Sequence, residues 1–190
     1  MPEVNAVGDL VLTTPEEFRA LADPLAIALT DRLRRTIPAT TADLAAQLEE
    51  SVSSIEGKLD ELEKVGVVTS AEDGWRAVAD GLFFEIPEGA EAQAAARALT
   101  NVMLLQYIDV PSQWVAEDES QLDVHWARAA GLFNARPALT ADELRAVQEK
   151  LEELLAPYLT RAAEDVPADA RRVRILAYFL PGAPSNTDSE

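Results

Sequence analysis

Apolar residues recur along the first half of the chain at helical spacing. Leu25, Leu29 and Leu33 fall at i, i+4 and i+8, on one stripe. Ile55, Leu59 and Leu62 repeat the pattern at i, i+4 and i+7, and Leu44 with Leu48 gives a shorter version. Start signals precede these runs. Thr14-Pro15-Glu16-Glu17 supplies a hydroxyl cap, proline at the first helical position and acids in the first turn. Asp23-Pro24 repeats that arrangement, Thr40 to Asp43 opens the short helix, and Ser53 to Glu56 reads as an S-x-x-E capping box. Thr36-Ile37-Pro38 ends one helix and Gly66 stops another. Val67 to Thr69 then reads as a strand, Glu72-Asp73-Gly74 as a turn, and Trp75 to Val78 as the returning strand of a hairpin.

The second half has another rhythm. Ala90 to about Asp109 is Ala-rich and predicts a helix, which Pro111 interrupts. Leu122 to Leu132 is ambiguous, with a weak alternation that favours a strand. Leu139 to Glu143 starts a helix expected to reach about Glu164, with Leu144, Val147, Leu151, Leu154, Leu155 and Tyr158 as its seam and Pro157 as a kink. Arg172 to Leu180 is β-branched and aromatic, the strongest strand pattern in the chain. Pro181 to Glu190 reads as a disordered end.

Helix, helix, short helix, turn, longer helix and hairpin is the order of a winged helix-turn-helix. The expected fold class is α+β and mainly helical. Residues 15–81 would form the winged helix, residues 82–181 a helical or α+β dimerisation domain with a possible effector site, and residues 182–190 a tail. The recognition-type helix is about Ser53–Val65, held from below by its leucines so that its outer face is free to enter a major groove.

Charge complicates this picture. The chain of 190 residues has 16 basic and 34 acidic side chains, a net charge of −18. Residues 1–81 carry 7 basic and 16 acidic groups, so the acidity extends into the winged helix. Nonspecific binding to nucleic acid or an anionic membrane is disfavoured by such a field. The absence of cysteine excludes disulfides, thiolate metal sites and cysteine nucleophiles. His125 is the only histidine, so a thiophilic metal site of several Cys or His ligands is excluded too. No phosphate loop, nucleophile elbow or zinc-protease motif is present, and the chain reads as a non-enzyme without a cofactor or metal. A signal-peptide pattern and a bilayer-length apolar run are both missing, and the expected location is the cytoplasm.

The segments Ala20–Pro24 (ALADP), Thr40–Leu48 (T-x-x-x-L-A-x-x-L) and Ser51–Val68 (S-x-S-x-I, then L-x-x-L-x-x-x-G-V-V) make residues 15–80 resemble the ArsR-type winged-helix transcriptional regulators. After residue 90 the chain resembles longer members, in which a helical dimerisation segment, a stretch like LTADELRAVQEKLEELLAPY and a terminal strand follow the winged helix. The resemblance implies a homodimer that binds a specific DNA operator. It directs attention to Ser53, Ser54, Lys58 and Lys64 on the recognition helix, Arg76 on the wing, and Arg32, Arg34 and Arg35 on the preceding helix. Departures are also visible. The family places arginines soon after the D-P pair, where this chain has Ala26 and Ala28. Its basic or aromatic residue, His, Leu and Arg correspond here to Gly57, Lys58, Leu59 and Asp60.

Two alternatives share the fold: a winged-helix protein-interaction module that does not touch DNA, and a small-molecule-binding protein whose winged helix only dimerises. Met103, Tyr107, Trp114, Trp126, Phe133, Tyr158 and Phe179 form either an ordinary core or the lining of a pocket for an apolar effector. In the second case Gln106, His125 or Arg128 would supply polar handles.

Overall fold

The computed structural model describes residues 3–5, 8–35, 38–79, 81–84 and 86–182, leaving out the side chains of residues 35 and 163. It is a mixed α+β structure, mostly helical. The chain divides into two compact units, Met1–Phe133 and Asn134–Glu190. The boundary expected at residue 81 therefore falls inside the first unit.

The first unit begins with strand β1 (Asp9–Val11), followed by α1 (Pro15–Leu21), α2 (Pro24–Arg35), α3 (Thr41–Leu48) and α4 (Val52–Lys64). Strands β2 (Val68–Ala71) and β3 (Gly74–Ala77) form an antiparallel hairpin, with Val68 opposite Ala77. Strand β4 (Gly81–Phe83) pairs parallel to β1, with Leu10 opposite Leu82. Helices α5 (Ala90–Tyr107), α6 (Val110–Glu117) and α7 (Val124–Ala129) complete the unit. This is the winged-helix order, extended by a strand pair that joins the N-terminus to the segment after the hairpin. Strands β1 and β4 were not anticipated, because three residues are too few to show a period.

Local chemistry explains the helix boundaries. The hydroxyls of Thr14 and Thr40 accept from the backbone N–H of Glu17 and Asp43, and those two carboxylates bond back to the cap N–H groups. Helix α4 departs from expectation. Its cap is Ser51, whose Oγ accepts from the Ser54 N–H at 3.1 Å. The third helical residue is then Ser54, which has no carboxylate, so no box forms at Ser53–Glu56 and Glu56 is exposed. At the other end Gly66 adopts φ 74°. Its N–H donates to Glu63 O, and the Val67 N–H donates to Leu62 O at 2.9 Å. This pair of bonds is a Schellman stop. It turns the chain into β2 with Val67 and Val68 buried.

One core underlies the unit. Phe18, Leu21, Leu29, Leu44, Ile55, Leu59, Leu62 and Leu99 are fully buried in it, with Leu10, Leu33, Val67 and Val68 beside them. Helix α5 contributes Ala95, Ala96 and Leu99 and packs on α1 and α2. Ala95 and Ala96 are small, so α5 can lie close to α1 and α2. The Tyr107 hydroxyl lies 2.9 Å from both carboxylate oxygens of Asp31 on α2.

Two later expectations are corrected. Val124–Ala129 is helical, because Asp123 Oδ1 accepts from the N–H groups of His125 and Trp126 and starts a helix that the weak alternation could not outweigh. Arg172 to Leu180 belongs to no strand, since the described sheets are β1 with β4 and β2 with β3. In the second unit α8 (Ala141–Leu159) starts with a full capping box between Thr140 and Glu143. It ends at Leu159, short of the expected Glu164, two residues beyond Pro157. Thr36 and Ile37, read as a helix stop, and residues 183–190 of the tail lie outside the described residues.

Candidate nucleic-acid interface

Helix α4 is fixed from below. Its buried residues are Ile55, Leu59 and Leu62, and Leu44 of α3 lies in the same core. The opposite side, Val52, Ser53, Glu56, Gly57, Asp60, Glu63 and Lys64, is exposed. The C-terminal end of α4 is tied to the hairpin, since Glu63 Oε1 accepts from Ser70 N (3.1 Å) and Ser70 Oγ (2.8 Å). The hairpin is tied in turn to the segment between α2 and α3. Ala39 and Trp75 exchange both backbone hydrogen bonds, at 2.9 and 3.0 Å. Gly74 makes that approach possible. It adopts φ 130°, and a Cβ there would lie 2.6 Å from Ala39 O. Helix α4 and the hairpin are thus tied together as one edge, projecting an exposed face.

The basic residues expected to serve that face divide into two groups. Lys64 and Arg76 are exposed. Three others are engaged within the chain. Lys58 Nζ lies 3.2 Å from Asp23 Oδ2 and 2.7 Å from Glu61 Oε2, with its side chain 17% exposed. Arg32 donates to Gln47 Oε1, joining α2 to α3. Arg34 sits 3.6 Å from Asp31, beside the Tyr107 bond. The Arg35 side chain is outside the described residues. In the first turn of α4, Ser54 is half-buried, while Ser53 is exposed with its Oγ 3.2 Å from Ser51 Oγ.

The Lys58 cluster has a structural purpose. Asp23 caps α2 through Oδ1, accepting from Leu25 N (2.8 Å) and Ala26 N (3.2 Å), while its Oδ2 takes Lys58. Burial opposes charge on both groups, but the bonds win. Partial burial would raise the Asp23 pKa, yet Lys58 and the two backbone donors hold it below its ordinary value. Partial burial would lower the Lys58 pKa, yet Glu61 and Asp23 hold it above its ordinary value. Lys58 therefore anchors α4 to the start of α2. Asp23 was legible as a helix start, but its pairing with a lysine far along the chain was not. Gln47, Asp31 and Glu61 carry no sequence signal that would have marked them as partners of basic residues.

The candidate effector residues fall in both units. In the first, Met103 and Tyr107 pack against the core, Trp114 and Trp126 are half-buried, and Phe133 is 93% exposed. A shallow cavity of about 270 Å³ is walled by Trp114, Val115, Leu122, Ala127 and Leu132, with Glu119 as its acidic group. In the second unit Tyr158 is exposed, with the Arg161 guanidinium 5.2 Å from its ring centre, and Phe179 is half-buried. His125 and Arg128 are exposed on α7. Among the described residues no group of three or more His, Cys, Asp or Glu comes together as a metal site. None of the described helices is long and apolar enough to cross a membrane.

No protein-family model matches the chain, and neither does any curated protein. Among solved structures it is similar to the crystal structure of a MarR family protein from Mycobacterium tuberculosis, at 19% identity. That alignment covers 75% of this chain and 74% of the other, with a TM-score of 0.26. So distant a likeness carries no argument. The winged-helix assignment rests on the element order and the packing of α2, α3, α4 and the β2–β3 hairpin.

Proposed function

We propose that the chain is a winged-helix transcriptional regulator of the ArsR type, acting as a cytoplasmic homodimer without enzymatic activity. The observation that carries the reading is the edge formed by α4 and its hairpin. Its inner residues are fully buried and its outer face is exposed on the side a major groove requires. Each protomer inserts α4 at one half-site of a palindrome, as two-fold symmetry demands. Ser53 and the first turn approach the bases, while Lys64 and Arg76 meet phosphates. An apolar effector bound in the region after α5 would alter the spacing of the two helices.

The exposed acids Glu56, Asp60, Glu61 and Glu63 set the terms of that contact. Few phosphates are neutralised, so nonspecific affinity is low and salt dependence shallow. A fluorescence-anisotropy titration against the DNA upstream of the chain's own gene, repeated across salt, tests the reading. Saturable binding with a shallow salt slope is expected, and its absence at low salt overturns it.

A second reading draws on the same face. With Lys58 and Arg32 engaged internally and α4 outwardly acidic, the edge also suits a basic protein partner. The titration separates the two, because a module that serves only a basic protein partner leaves the DNA unbound even at low salt.

A further inference from the structure

The cavity of the first unit lies where α6, the turn after it and α7 meet. Its volume of about 270 Å³ is the space of about nine water molecules, just under the usual lower bound of about 300 Å³ for small-molecule sites. Trp114 and Leu122, both half-buried, wall it together with the exposed Val115 and Leu132, and Ala127 of α7 lines it as well. Among the described residues its ionisable lining group is Glu119, and neither His125 nor Arg128 belongs to the wall. The Glu119 carboxylate makes no hydrogen bond or ion pair with another described residue. Residues 108–133 carry five acids and one arginine, so the field of this region is negative.

We infer that this cavity binds a compact organic cation, an amine or quaternary ammonium carried on an apolar body of about ten heavy atoms. Apolar walls alone would suit a neutral ligand. An acid among them, inside a negative region, makes an anion the worst occupant and a cation the best. The Trp114 indole adds an attraction of its own, because an aromatic ring face draws an ammonium group. Glu119 is exposed, so its carboxylate stays in contact with water and meets the cation at little desolvation cost. The inference rests on the effector reading above and names its ligand class, but the binding step needs neither a second copy nor DNA. Helix α6 follows α5 directly, and Tyr107 at the end of α5 bonds Asp31 of α2. That connection joins the cavity wall to the winged helix.

The chain's three tryptophans, Trp75, Trp114 and Trp126, each give an indole N–H signal in a nitrogen–proton correlation spectrum of the full-length protein. Trp114→Phe assigns the signal of interest, and Trp75, on β3, does not line the cavity and serves as control. Three probes sharing one ring are titrated: benzyltrimethylammonium, benzyl alcohol and phenylacetate. The cation should shift the Trp114 signal saturably below about 10 mM, the alcohol more weakly, and phenylacetate least. Glu119→Gln should weaken the cation about two- to fivefold and leave the alcohol unchanged. Ala127→Phe fills the cavity and should abolish both. Circular dichroism checks that the helices of each variant are intact. No saturable shift at Trp114 overturns the inference. So does an alcohol or an anion that binds as well as the cation, or cation binding indifferent to Glu119→Gln or Ala127→Phe. The DNA titration is then repeated with the cation present. Cation uptake that leaves DNA binding unchanged keeps the site and contradicts the effector reading. Cation uptake by a chain that binds no DNA keeps the site and overturns the regulator.

Discussion

The chain up to Leu99 and the chain after it handle apolar residues in opposite ways. Before that point Phe18, Leu29, Leu44, Ile55, Leu59 and Leu99 are removed from water completely, in a core built by five helices and the start of the hairpin. After it, no described residue is fully buried. Leu105, Ile108, Phe133, Leu154, Tyr158 and Ile175 are each more than half exposed. Composition does not account for the contrast, since both regions are rich in leucine and alanine. What differs is whether a single molecule supplies the partner surfaces. Exposed apolar surface on this scale marks contact sites. The winged helix is complete in one copy, and it is the remainder that the proposed dimer would have to cover.

The sharpest way to test that contrast is to truncate on each side of it. Leu59→Ala empties a fully buried site and should cost about 2–5 kcal/mol in a denaturant titration. Phe133→Ala, at a site 93% exposed, should change the stability of the dilute monomer by less than about 0.5 kcal/mol. A comparable loss at Phe133 would mean that the second region has a core of its own.

Next in size is the close approach that holds the wing. Gly74→Ala adds a Cβ 2.6 Å from Ala39 O at φ 130°, and the strain should cost about 1–3 kcal/mol. Thermal melts measure it. Because the wing is part of the proposed interface, DNA affinity should fall in the same variant beyond what the lost stability explains.

Smaller again is the anchor between α4 and α2. Lys58→Met should lower stability by about 1 kcal/mol or less, since Asp23 is partly exposed. Its pH dependence has a defined sign. Asp23 has a lowered pKa, so its contribution is present above the ordinary aspartate value of 3.8 and is lost as pH falls through the folded value. Lys58 has a raised pKa, so its contribution is full below the ordinary lysine value of 10.5 and is lost as pH rises through the folded value. The difference between the unmodified chain and Lys58→Met should therefore be flat across neutral pH and shrink at both extremes. Denaturant midpoints taken across pH check this.

The smallest effects concern charge on the outer face. Lys64→Ala and Arg76→Ala should each weaken DNA binding across all sequences and reduce the salt slope by about one. Glu56→Gln with Asp60→Asn should tighten it, by removing repulsion from a face that otherwise stays as it is. Anisotropy titrations at two salt concentrations read both.

Much of the first region was legible in the sequence because its signals are local. Caps at Thr14 and Thr40 and the stop at Gly66 each involve residues a few positions apart. The leucine stripes report their burial by period alone. The start of α4 was misread because Ser51 and Ser53 are chemically alike, and backbone geometry selects the first. The expected DNA-facing residues were harder. Lys58 looks exposed by its position on a helix surface, but Asp23 and Glu61 draw it in. Arg172 to Leu180 reads as a strand from composition, yet a strand exists only within a sheet, and the described sheets are β1 with β4 and β2 with β3.

The central claim, that an acidic winged helix still reads DNA, is tested most directly by one titration. The full-length chain is added to the DNA upstream of its own gene at low salt, with an unrelated duplex of equal length as control. The account predicts saturable binding to the first, little to the second, and a shallow decline as salt rises. Equal binding to both duplexes, or none to either from a chain shown to be folded and dimeric, would contradict it.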